Sequence, residues 1–166
     1  GPGATTGQRK DAAKRALDIA QAMGWRDHRR AFAHYANGRL LLSSDPTAAQ
    51  SHFRAADQFY AATPGADLHR AYVATQLAAY AISRGDGDTA MITLAPHIDR
   101  AARNENAALL STLLLLRAEA LDLQGRSAEA RTVRLDSLGW ARYGFGSDWA
   151  VRAKLREISS LSPLKG

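Results

Sequence analysis

Three short stretches of this sequence repeat one another, and that repetition limits the possible folds more than any other feature. Ser44 to Phe53 reads SDPTAAQSHF, Gly85 to Leu94 reads GDGDTAMITL, and Gly125 to Arg134 reads GRSAEARTVR. Each is a turn that opens into a run of helix formers. A small residue recurs at Ala49, Ala90 and Ala130, which lie 41 and 40 residues apart. A unit of about 40 residues cannot bury its apolar face alone, so copies at a fixed period are expected to stack on one another.

The units are expected to be helical hairpins. Alanine occurs 34 times and leucine 20 times, whereas valine and isoleucine together occur 8 times, so helix formers far outnumber the residues that favour pleated strands. The starts and stops cut the chain into about eight helices. The first two are expected over 8–23 and 26–42. Asp45-Pro46 places a capping acid before a proline at the first helical position of a third, over 46–62, with Ala49, Phe53, Ala56 and Tyr60 on one face. A fourth runs over 67–84. A fifth begins at Asp88 with Met91, Leu94, Ile98 and Ala102 on one side, and Pro96 should kink or split it because proline lacks an amide donor.

Asn104 is expected to cap a sixth helix ending at Gln124. Its Leu109, Leu110, Leu113, Leu114, Leu116 and Leu121 occupy nearly every side, the pattern of a central helix. A seventh follows from Ser127 to about Tyr143, and a last, capping helix from Ser147 to about Leu161. Connections of a few residues require neighbours to pack antiparallel. The expected organisation is one domain over 9–161, between a flexible start, 1–8, and a flexible end, 162–166.

The small turn residue, the alanine five positions later and the large apolar residue four beyond it resemble the tetratricopeptide repeat. Gly85-Ala90-Leu94 and Ser44-Ala49-Phe53 carry the likeness best, and Leu121 to Ala130 (LDLQGRSAEA) resembles the family turn most closely, although Arg134 stands where an aromatic or leucine belongs. The likeness covers about residues 31–143. The family period is shorter, 34 residues, so the helices here are lengthened, and the tryptophan and Leu-Gly pair of the family's first helix are absent. The resemblance implies an all-α fold in which antiparallel hairpins stack as a right-handed superhelix. It also implies a concave groove lined by His34 in the first repeat, Tyr72, Thr75 and Gln76 in the second, and Thr112, Glu119 and Asp122 in the third. Such a groove takes a peptide or a partner helix. The Lys/Asn set with which some members hold a C-terminal carboxylate is not visible, which disfavours a chaperone-tail receptor.

Charge adds a second strand of argument. The net +6 sits at the ends: residues 1–30 carry seven Lys/Arg against three acids, 31–125 seven against nine, and 126–166 eight against four. Basic ends fit an acidic protein, a nucleic acid or an anionic surface, but 18 arginines against 4 lysines also fit ordinary solvated helix faces. Cysteine is absent, which excludes disulfides, thiolate metal sites and a cysteine nucleophile. The longest apolar stretch, Ala107 to Leu116, is too short to cross a bilayer. The opening Gly1-Pro2-Gly3 reads as the scar of a cleaved purification tag. The Arg/Ala-rich composition reads as bacterial, with cytoplasm and periplasm both open.

No convergent catalytic set is legible. The histidines, His28, His34, His52, His69 and His97, form no pair spaced for a metal on one helix, and each reads as a surface or half-buried residue. Glu119 and Asp122 share a face, yet Arg117 and Arg126 are near enough to make them ordinary ion-pair partners. Gly85-Asp86-Gly87-Asp88 is a turn without the spaced ligands of a calcium loop. Trp140, Tyr143, Phe145 and Trp149 cluster within ten positions; they pin the last hairpin or form a secondary binding patch. No cofactor is expected.

The leading expectation is a noncatalytic adaptor that binds a protein or peptide in the groove. Two rivals remain: a nucleic-acid- or regulator-associated domain using Arg9, Lys10, Lys14, Arg15, Arg26, Arg29 and Arg30, and a helical accessory domain of a cell-envelope assembly.

Overall fold

Helix starts are set by short polar side chains that take up free amides. Thr5 and Gln8 form a reciprocal capping box at the head of α1 (Thr6–Ala22). Asp27 accepts from the amide of Arg29 to open α2 (His28–Leu41), and Asp45, ahead of Pro46, accepts from the Ala48 amide to open α3 (Pro46–Ala61). Helix α4 covers Asp67–Ser83; Asp86 caps α5 (Gly87–Arg103) through the Thr89 amide. Asn106 caps α6 (Ala107–Leu123), and α7 covers Ser127–Phe145.

The computed structural model describes residues 3–145, and among them the chain is all-α: seven helices and no strand. Helix α1 packs on α2 and α2 on α3, and likewise α5 on α6 and α6 on α7, as neighbours in chain order. None of the described helices is long and apolar enough to cross a membrane. The chain forms two compact units, residues 1–73 and 74–166, with the boundary inside α4.

In the first unit, α1, α2 and α3 pack in sequence. Leu17 and Ala20 of α1, Ala31 and Ala33 of α2, and Phe53, Ala56 and Tyr60 of α3 are buried. The Asn37 amide donates to the carbonyl oxygens of Ala13, at 2.9 Å, and Ala33, at 2.8 Å, so one buried side chain ties α2 to α1 and leaves neither donor unmet. Gly38 lets α2 approach α3: a Cβ there would lie 2.7 Å from the Phe53 ring.

The second unit is built on α6, whose buried leucines justify the expectation of a central helix. Ala118, Leu121 and Ala130 form a buried cluster flanked by Met91 and Val133. The Ser137 hydroxyl donates to the Ser111 carbonyl at 2.7 Å and joins α7 to α6. Gly87 touches α6 so closely that a Cβ would sit 2.7 Å from the Ala120 carbonyl oxygen. All three repeat alanines, Ala49, Ala90 and Ala130, are buried.

Several boundaries differ from expectation. Helix α1 begins at Thr6, within the stretch expected to be flexible, because the capping box satisfies its first amides. Pro96 neither ends nor splits α5: the carbonyl it leaves without a donor is that of Ile92, and both residues are exposed, so water can serve it. Ala101, not Ala102, completes the buried face of that helix. Asn104 ends α5, and the cap of α6 is Asn106. The expected last helix and the C-terminal segment, 162–166, lie outside the described residues.

Candidate functional site

The most exposed aromatic side chain among the helices of the first unit is Phe32, 64% accessible on α2. On α4, Leu68 and Tyr72 stand four residues apart on one side of the helix, each 47% exposed. Burying a side chain of this size is worth about 1.5–3 kcal/mol, so three such groups left in water on one unit are a cost that a partner can relieve.

Phe32 borders a cleft of about 300 Å³, lined also by His28, Tyr60, Thr63, Pro64, Gly65, Ala66 and His69. Its floor is fixed. Tyr60 is buried, and its ring stacks on His69 with centroids 5.1 Å apart. Burial, aided by the field of Tyr35, holds the Tyr60 hydroxyl above its ordinary pKa. The Thr63 hydroxyl donates to the Phe59 carbonyl at 2.8 Å, shaping the turn into α4. Arg70 of α4 donates to Asp57 of α3 at 3.0 Å, which holds the two helices together on this side.

A second cluster lies on the α2–α3 seam. His34 is 8% exposed, its Nδ1 is 3.0 Å from Nδ1 of His52, and its ring lies parallel to that of Phe59 with centroids 5.9 Å apart. The guanidinium groups of Arg30 and Arg26 lie over the Phe59 ring, 4.6 and 5.7 Å from its centre. Burial lowers the His34 pKa to about 4, and the positive charge of His52 and Arg30 pushes the same way. Burial lowers that of His52 as well. His34 Nε2 and Arg30 Nε are buried without a hydrogen-bond partner among the described residues.

The residues expected to line a groove are placed unevenly. Tyr72 and Asp122 are exposed, and Asp122 is paired with Arg134. His34, Thr75, Gln76, Thr112 and Glu119 are buried, and the Thr112 hydroxyl donates to the Ala108 carbonyl. Little of these five side chains is open to a ligand. Asp122 takes Arg134 as partner in place of Arg117 or Arg126, while Arg126 pairs with Glu129 at 2.6 Å. The arginine that breaks the repeat pattern therefore serves that ion pair.

The expectation of surface or half-buried histidines fails at His34 and His97, both buried; His97 lies 3.3 Å from a guanidinium nitrogen of Arg100. In the C-terminal aromatic patch, Trp140 and the exposed Tyr143 meet edge to face, with centroids 6.3 Å apart. The side chain of Phe145, and Trp149, lie outside the described residues. Of the basic set, Arg9 donates to the Ala4 carbonyl, Lys10 to the Ser44 hydroxyl, and Arg29 binds Asp27 at 2.9 Å while covering Trp25 at 4.1 Å. Among the described residues no group of three or more His, Asp or Glu side chains is placed to hold a metal.

Phe32 is the residue that sequence reasoning missed, although a signal was present. It lies 40 positions before Tyr72, as Tyr72 lies 40 before Thr112, so the repeat period points to Phe32 as the counterpart of Tyr72. Comparison with known proteins gave no matching family model, no matching curated protein and no matching solved structure.

Proposed function

We propose that this chain is a noncatalytic docking module that binds a protein segment on the first unit, across the exposed faces of α2 and α4. One observation carries the reading: Phe32, Leu68 and Tyr72 are exposed on the same unit, and Phe32 borders a cleft with a fixed aromatic floor. Large apolar side chains beside a concavity are the usual anchors of a protein interface. The resemblance to tetratricopeptide repeats supports the reading, since that family binds peptides through the first helix of each hairpin. The contact surface is placed on Phe32, Leu68 and Tyr72 in preference to the buried His34, Thr75, Gln76, Thr112 and Glu119.

The test is a pull-down from the source cells with wild type and with Phe32→Ala/Tyr72→Ala, both checked for native helicity by circular dichroism. A partner held by the wild type and lost by the variant supports docking at this face. Recovery of the same partners by both would place the interaction elsewhere.

A further inference from the structure

The chemistry of the occupant follows from the charges around Phe32. Helix α2 contains three arginines, two histidines and no acid. Helical spacing puts His28, Arg29 and Arg39 on the same side as Phe32, and all four are exposed. Arg29 is answered by Asp27, whereas Arg39 has no ion pair among the described residues.

The cleft is bordered by the heads of two helices. His28 is the first residue of α2, and Ala66 immediately precedes α4. Each helix head carries roughly half a positive charge, which Asp27 at the cap of α2 and Asp67 in the first turn of α4 offset in part. No carboxylate lines the cleft. The larger share of the charge excess lies on the same unit: residues 1–73 hold ten Lys/Arg against six acids, and 74–166 hold twelve against ten.

We infer that the α2 face around Phe32 takes an acidic protein segment whose hydrophobic side chain seats in the cleft beside Phe32, an inference that rests on the docking reading above. The cleft supplies room for one large anchor, and the exposed Arg39, with Arg29 on the same side of an α2 that carries no acid, faces the carboxylates that flank it. A nucleic-acid strand is the less fitting occupant. Several of the cations that a phosphate backbone would need are engaged within the chain: Arg26 and Arg30 over Phe59, Arg9 on the Ala4 carbonyl and Lys10 on Ser44.

The test is selection of random short peptides displayed on phage against the wild-type chain and against Phe32→Ala, followed by anisotropy titrations of the enriched peptides. Arg39→Glu, a salt series and a labelled oligothymidylate complete the set. Net-negative peptides with a Trp, Phe or Leu anchor should be enriched. Phe32→Ala should weaken them by about tenfold or more, and Arg39→Glu or raised salt by about three- to tenfold.

Enrichment of neutral or basic peptides that still require Phe32 would overturn the acidic partner and keep the docking reading. Enrichment independent of Phe32, or none, would overturn both. Oligothymidylate binding that is lost with Phe32→Ala would overturn the inference in favour of a nucleic-acid face.

Discussion

His34 of α2 and His52 of α3 meet through their Nδ1 atoms at 3.0 Å, so one ring donates where the other accepts. The pair joins two helices only while at least one of those nitrogens keeps its lone pair. Phe59 covers the buried ring, and Arg26 and Arg30, lying over Phe59, make the surroundings positive. Protonating both imidazoles would break the contact and place two cations side by side.

Stability should therefore fall with acid. His34 titrates near 4 in the folded chain and near its ordinary 6.5 when unfolded. The unfolded state takes the proton first, so this contribution is fully present above about pH 6.5 and is lost as pH drops towards 4. The loss should reach about 1–3 kcal/mol, with His52 acting in the same direction. Urea melts of wild type and His34→Met between pH 7.5 and 4.5 check this: the wild type should lose more stability than the variant. Parallel losses would deny His34 the role.

Gly38→Ala tests the α2–α3 contact. Alanine is the better helix former by about 1 kcal/mol, yet its Cβ would lie 2.7 Å from the fully buried Phe53 ring, so the ring or the helix must shift. Net destabilisation of about 1–3 kcal/mol is expected by denaturant titration. A stabilised variant would show that the seam yields.

Glu105 carries the one positive φ of a non-glycine residue among the described residues, 53°, in the turn between α5 and α6. An L side chain is disfavoured there, and Glu105 is exposed, so Glu105→Gly removes strain without removing a packed group. It should raise stability by about 0.5–1 kcal/mol, read as a higher melting midpoint.

Phe32 and Phe53 should separate binding from folding. Phe53→Ala empties a fully buried site and should cost about 3–5 kcal/mol. Phe32→Ala should change stability by no more than about 0.5 kcal/mol, as surface substitutions do, while removing the docking anchor. Thermal melts of the two variants make the comparison.

Much of the fold was legible because turn chemistry is local. Asp45-Pro46, Asp86 and the repeat alanines announced helix starts and core positions through side chains acting within a few residues. Asn104 and Asn106 are equally good caps, and the choice fell to the backbone turn at Glu105, which sequence does not display. The candidate site was less legible. The His34–His52 contact spans two helices, so a search for spacing on one helix passed over it. Groove positions carried over from a shorter repeat fell on the buried side of the helices at Thr75, Gln76, Thr112 and Glu119, whereas the chain's own period of 40 led to Phe32.

The most direct test of docking through Phe32 is site-specific photocrosslinking in the source cells. Benzoylphenylalanine would replace Phe32 in one variant and Ile92, which is also exposed but lies on α5, in another. The docking account predicts a discrete adduct from position 32 and none from position 92. No adduct from position 32, or the same adducts from both positions, would contradict it.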